Sequence, residues 1–312
     1  MASGATMDEE KKRILPEVTL EESYKICDRW VADRLKPYAW MGGNIASGSR
    51  RYFHAVLALA ARTEKMCDIH VGRAARLDQL ADFREDFRNN FMEEESTDQF
   101  PALLDTVKRF GIPQQYLHDI VLAADMCGRI ERFQNFDQWL QLGCRLGGGT
   151  LLSLIPIVGA EKQGYEATAL SCGQAIYLTH LLADISDEIQ KLEYFLPAEI
   201  VDEFNVDLTK HNPAKPAKEI LRLIRYLVGH IEKQFQAGGS IVKYLNLDGQ
   251  RVMKTVISVY WNLLMKIKVE PEKVILGEGN LTRKEQFWFK LKHLMGLEGG
   301  VVVLPDPSEH HH

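Results

Sequence analysis

The sequence predicts a single all-α domain, and three observations carry that reading. Apolar residues recur at helical spacing from Leu20 onward, as Phe53, Val56, Leu57 and Ala60 do. Proline and glycine punctuate the chain at intervals that suit helices. No segment alternates strand with helix, which rules out a doubly wound sheet, and no fixed repeat of about 20–50 residues appears. The expected organisation is a flexible N-terminus at 1–16, one domain over 17–298 and a tail at 299–312.

Each helix has its own signals. Leu20 to Leu35 is one stretch, ended by Pro37 and followed by the loop residues Gly42 and Gly43. Ser49 to His70 reads as a long helix with an apolar stripe. Leu77 to Phe91 is amphipathic and stops at the acidic run Glu93 to Glu95. Phe100 to Phe110 is short and closed by Gly111 and Pro113. Further helices are expected over Gln115 to Arg132, Phe136 to Pro156, Tyr165 to Leu192 and Ala198 to Phe204. Pro213 and Pro216 mark a connection. Lys218 to Ala237, Ile241 to Leu247 and Gly249 to Lys268 complete the bundle, and Arg283 to Met295 is a last helix.

Composition narrows the function. The 312 residues are 46% hydrophobic, enough to enclose a large core or an internal cavity. Lys plus Arg number 38 against 43 Asp plus Glu, a net charge of −5, which argues against nucleic acid as the partner. Cysteines stand at 27, 67, 127, 144 and 172, with no CxxC pair. Neither a disulfide framework nor a cysteine zinc site is expected, and Cys67, Cys127 and Cys144 read as buried thiols. A reducing, cytoplasmic compartment fits this usage, and no signal peptide is visible. The apolar run Leu151 to Val158 is shorter than the ~20 residues of a membrane-spanning helix. His310 to His312 read as a purification tag and carry no metal argument.

Two acidic pairs stand out. His180, Asp184 and Glu188 are spaced i, i+4, i+8, so on an α-helix they share one face. Glu64 and Asp68 repeat the i, i+4 spacing after another apolar run. Like charges at i, i+4 repel by a few tenths of a kcal/mol, or about 0.2–0.5, on an exposed helix. In a cavity they need a cation. Oxygen ligands of this kind suit Mg²⁺, while spacing alone is equally that of solvated acidic faces.

The stretches Arg145-Leu-Gly-Gly-Gly-Thr, Leu154-Ile-Pro-Ile-Val-Gly-Ala, the run Gly173 to Glu188, and Tyr194-Phe-Leu-Pro follow one another in order. Together they resemble the squalene/phytoene synthase family of head-to-head prenyl transferases. Pro101 to Pro113 and Arg251 to Lys268 are similar to the family's helices on either side. The resemblance covers roughly residues 20 to 295. It implies an isoprenoid-synthase-like helical bundle around a central cavity, with two acidic motifs on facing helices. It assigns Glu64, Asp68, Asp184 and Glu188 as Mg²⁺ ligands and catalytic carboxylates that hold a prenyl diphosphate. Arg50, Arg62, Tyr177, His180 and Tyr260 complete the implied substrate-binding set. Glu64 stands where the family has Asp, Glu188 likewise, and His180 stands where it has Asn.

Gly147 to Gly149 lack the Gly-Lys-Ser/Thr of a phosphate loop and read as close helix packing. Trp288, Phe289, Leu291 and Met295 form an apolar face that packs on the bundle or rests on a membrane surface. The expected function is a divergent prenyl transferase or terpene synthase acting on a farnesyl- or geranylgeranyl-class diphosphate. The alternative is a non-catalytic isoprenoid-binding or assembly module on the same fold.

Overall fold

A computed structural model describes residues 18–34, 48–67, 72–92, 100–185, 194–210, 212 and 215–285. Among them there is no strand, only an antiparallel bridge between Ala160 and Leu245. The first helices are α1 Leu20–Arg34, α2 Arg50–Lys65, α3 Arg73–Met92, α4 Phe100–Phe110, α5 Gln114–Arg129 and α6 Phe136–Leu142. A π-helical segment, Gly143–Gly148, joins α6 to α7 Gly149–Val158. Then come α8 Glu166–Ala183, α9 Ala198–Glu203, α10 Lys218–Gly238, α11 Leu247–Val269 and α12 Pro271–Ile275. Residues 1–16, the tail at 299–312, and the last expected helix beyond Glu285 with Trp288 and Phe289 lie outside the described residues.

The architecture is all-α, as the periodicity predicts. Helix α8 is the hub and packs on the π segment, α7, α10 and α11. The amphipathic pattern of α10 shows how the core is filled. Ile220, Leu223, Ile224, Leu227, Val228, Ile231 and Phe235 are all buried and recur at three- and four-residue spacing. Each such side chain contributes about 1.5–3 kcal/mol relative to exposure.

The close packing read from the glycine run is found, and its partner is Gly173 on α8. A Cβ on Gly147 would overlap the Gly173 carbonyl, and a Cβ on Gly173 would overlap the Gly147 carbonyl. The two backbones therefore touch. The π segment at this crossing shifts the hydrogen-bond ladder of α6. Just before it, the Leu140 carbonyl accepts from Gln174 Nε2 of α8 at 2.7 Å. The continuous helix Phe136–Val158 is long and apolar enough to span a membrane by length and composition, but 67% of its apolar window is buried. That is the pattern of a core helix.

Two helices end well before the point their periodicity predicts. Helix α2 stops at Lys65 instead of His70, because Met66 and Cys67 turn back to bond the Thr63 and Glu64 carbonyls at 3.0 and 2.9 Å. Cys67 is joined to Cys127 of α5 in a disulfide, with their Cα atoms 4.9 Å apart. The expectation of free thiols at these two positions is thus corrected. An odd cysteine count hides one pair brought together across 60 residues, and Cys27, Cys144 and Cys172 form no disulfide. Helix α8 stops at Ala183 instead of Leu192, with Asp184 as its C-cap, bonded through its N–H to His180 O at 3.0 Å.

Substituting Gly147 or Gly173 by Ala is expected to lower stability by about 1–3 kcal/mol, since the overlapped atoms are backbone. Gly229 on α10 has open space at its Cβ, so Gly229→Ala is expected to raise stability by up to about 1 kcal/mol. Urea denaturation midpoints check both signs.

Candidate active site

Four helices enclose a cavity of about 160 Å³. Helix α2 presents Phe53, Leu57, Ala60, Ala61 and Glu64, spaced along one helical face. The π segment and α7 present Leu146, Gly147, Thr150, Leu151 and Leu154. Helix α8 adds Gly173, Ile176, Tyr177 and His180, and α11 adds Met253, Val256 and Tyr260. The lining is apolar except for Thr150, the two tyrosines, and the end where Glu64 and His180 meet. A wider groove of about 740 Å³ lies between α3 and α5. Its lining mixes apolar residues such as Phe87, Val121 and Leu122 with charges, among them Arg84, which pairs with Asp125 at 2.9 Å.

The charged end is an ion cluster. His180 Nε2 lies 3.4 Å from Glu64 Oε1 and 3.3 Å from Asp184 Oδ2. Burial works against charge on this imidazole. Asp184 and Glu64 outweigh it and raise the His180 pKa to about 9, so the ring is an imidazolium at neutral pH. Burial likewise works against charge on Glu64, while His180, and then Arg34 at the end of α1, hold its carboxyl below the usual range. Burial first, and then the nearby Glu64, push the Tyr177 phenol well above its usual value, so it stays neutral.

The residues expected at the site divide into three groups. Glu64, His180, Tyr177 and Tyr260 line the cavity, and Asp184 joins them through His180. Arg62 points elsewhere. Its guanidinium pairs with Asp86 at 2.9 Å and lies over the Phe83 and Phe100 rings. Arg50 is exposed at the start of α2. It is 14 residues before Glu64, about 21 Å along the helix. Asp68 and Glu188 lie outside the described residues. Asp184 sits just past the end of α8 as its C-cap, one turn beyond His180.

Other contributors were not read from the sequence. Arg34 and Met253 carry no motif, and Thr150 sits unremarked at the end of the glycine run. Asn280, which donates from Nδ2 to Asp184 Oδ1, is 96 residues away in a connecting segment. Tyr194 of the Tyr-Phe-Leu-Pro stretch has a structural task instead. Its hydroxyl donates to Cys127 O at 2.7 Å and its ring stacks edge-on with Phe133.

The donor set at the charged end is carboxylate oxygen, the type that a hard divalent ion such as Mg²⁺ takes. Among the described residues no three ligating side chains are grouped closely enough to hold one ion. Glu64 and Asp184 instead share the cationic imidazole between them, so this end of the cavity is built to compensate positive charge.

The pH dependence follows from the raised His180 value. In chelator, the stabilisation from its ion pairs is fully present below the ordinary imidazole value of 6.5 and is lost as pH rises through about 9. The melting temperature is expected to fall across that window, and His180→Asn to flatten that component. Thermal melts from pH 6 to pH 10, a range set about the unperturbed and raised values, check it.

Comparisons with known proteins agree on one family. Residues 45–286 match the model described as squalene/phytoene synthase. The 15-cis-phytoene synthase of Synechocystis sp. is 21% identical over 262 residues, covering 80% of this chain and 77% of that one. The chloroplastic phytoene synthase of Narcissus pseudonarcissus is 29% identical over 188 residues, covering 57% of this chain and 44% of that one. A dehydrosqualene synthase crystallised with a ligand superposes at a TM-score of 0.75 and 14% identity, covering 90% of this chain and 98% of that one. Squalene synthase HpnC from Alicyclobacillus acidocaldarius gives 0.68 at 16% identity, covering 80% and 95%. The structural likenesses bear on the fold alone, while the family match spans all four helices that line the cavity. The chain belongs to the squalene/phytoene synthase family.

Proposed function

We propose that the chain is a prenyl transferase that ionises a farnesyl- or geranylgeranyl-class diphosphate with Mg²⁺ and couples the resulting cation to a second prenyl chain. The observation that carries this reading is the cavity itself: an apolar enclosure with its carboxylates gathered at one end. Members of the family are phytoene and squalene synthases, which are transferases and typically use Mg²⁺.

The roles follow from the surroundings of each group. Glu64 and Asp184 would hold the metal, with Asp68 and Glu188 as the further carboxylates that the resemblance assigns. When bound, the metal supplies positive charge to the departing diphosphate. The C–O bond at the allylic carbon breaks and its electron pair leaves with the diphosphate. The His180 imidazolium adds a second positive group at that end and can donate to a phosphate oxygen. The apolar walls from Phe53, Leu57, Leu151 and Leu154 exclude water, so the allylic cation would add to the double bond of the second chain, and the coupled cation would then lose a proton to the departed diphosphate to give a neutral product. Tyr177 and Tyr260 line the cavity, where aromatic rings would stabilise positive charge.

One observation favours a second reading. His180 already supplies a cation between Glu64 and Asp184, as it would in a non-catalytic isoprenoid-binding or assembly module that kept the fold. Diphosphate release from farnesyl and geranylgeranyl diphosphate, measured with Mg²⁺ and with chelator, separates the two. Under the transferase reading, Asp184→Asn is expected to lower metal-dependent release on the order of 10²-fold, and extraction yields a coupled prenyl product. No release from folded wild-type protein supports the binding module.

A further inference from the structure

The segment after α12 crosses the end of α8 and reaches the charged pole. Gly277, at φ +72°, turns the chain. Gly279 then lies against α8, where a Cβ would stand 2.6 Å from Ala183 O. Only a glycine allows that approach, and it brings Asn280 to Asp184. Asn280 Nδ2 donates to Asp184 Oδ1, while the other oxygen, Oδ2, faces His180 Nε2 at 3.3 Å.

The segment is itself fastened down. Lys266 of α11, with its side chain only 14% exposed, donates from Nζ to Asn280 O at 2.8 Å and to Glu285 Oε2 at 3.1 Å. Glu285 Oε2 also accepts from the Thr282 N–H at 2.6 Å, and Leu281 is buried. Asn280 is therefore presented to Asp184 from a backbone with its own anchors.

We infer that Asn280 is a positioning residue for Asp184, fixing the rotation of its carboxylate toward the charged end of the cavity. Asp184 needs such a partner. It caps a helix C-terminus, where the helix dipole disfavours negative charge, and its side chain is 49% exposed. A carboxylate there is free to change rotamer unless it is held from both oxygens. The inference rests on the reading of Asp184 as a ligand to a divalent ion. Loss of an orienting partner of this kind lowers metal affinity by about 10- to 100-fold.

The test titrates Mg²⁺ at fixed inorganic pyrophosphate and follows the melting temperature of the full chain. Wild type, Asn280→Ala, Asn280→Ser and Asp184→Asn are compared, and Mg²⁺ dependence of diphosphate release is measured alongside. Wild type is expected to melt higher as Mg²⁺ rises. Asn280→Ala is expected to need about tenfold more Mg²⁺ for half the gain, with its metal-free melting temperature unchanged. Asn280→Ser keeps a donor and is expected to recover part of the loss. Equal Mg²⁺ requirement in wild type and Asn280→Ala overturns the role of Asn280 and leaves that of Asp184 standing. A fall in metal-free melting temperature that accounts for the whole change makes Asn280 merely structural and also overturns it. If wild type gains nothing from Mg²⁺ and releases no diphosphate, both readings fall together.

Discussion

Everything at the site depends on two helix backbones being allowed to touch. At the crossing of Gly147 with Gly173, the π segment and α8 approach until carbonyl meets α-carbon. Any side chain there would push the helices apart by the width of a methyl group. The cavity lies beside this contact, since Leu146 and Thr150 on one helix and Ile176, Tyr177 and His180 on the other are within a turn or two of it. The spacing of the walls is therefore set by backbone, which yields far less than a side chain, and the apolar lining inherits that rigidity.

Charge is confined to one end of this rigid enclosure. A buried carboxylate would ordinarily be driven toward its neutral acid, and a buried imidazole toward its neutral base. Each is kept ionised here by the other: His180 stands between Glu64 and Asp184, with Arg34 adding positive potential from α1. The result is a pole whose charges are already nearly compensated and whose outer carboxylate, Asp184, remains half exposed. Under the proposed function, a diphosphate and its counter-ion would sit at the cavity's edge and the prenyl chain against the largely apolar wall within. The separation of ionic and apolar functions along one axis is what an ionisation reaction with a hydrocarbon cation requires.

Much of this was legible in the sequence. Helix α4 has the bounds that its periodicity predicts, Phe100 to Phe110, because Gly111 and Pro113 leave no alternative stop. The apolar stripe of α2 proved to be a cavity wall, and His180 with Asp184 kept the expected i, i+4 relation. What periodicity misjudged were the C-terminal ends of α2 and α8. Each lies beside a tertiary contact that no local periodicity marks: the disulfide to α5 in one case, the approach of Gly279 in the other. The outward turn of Arg62 was equally hidden, since two aromatic rings and Asp86 compete for its guanidinium. Asn280 lies in a connection with no periodic pattern to mark it, and its partner is far away in the chain.

The π segment also bears on how this chain tolerates changes in length. A π turn is equivalent to one extra residue within an α-helix. Deleting a residue between 143 and 148 would restore a regular ladder and gain local hydrogen bonding. The facing of α7 relative to α6 would be nearly kept, because the π turn absorbs the extra residue instead of passing on a full helical step. Thr150, Leu151 and Leu154 would go on facing the cavity, and what would change is the widened backbone where the segment meets Gly173. The constraint on this segment therefore falls on the identity of Gly147, whose Cβ would overlap the Gly173 carbonyl, more than on its residue count.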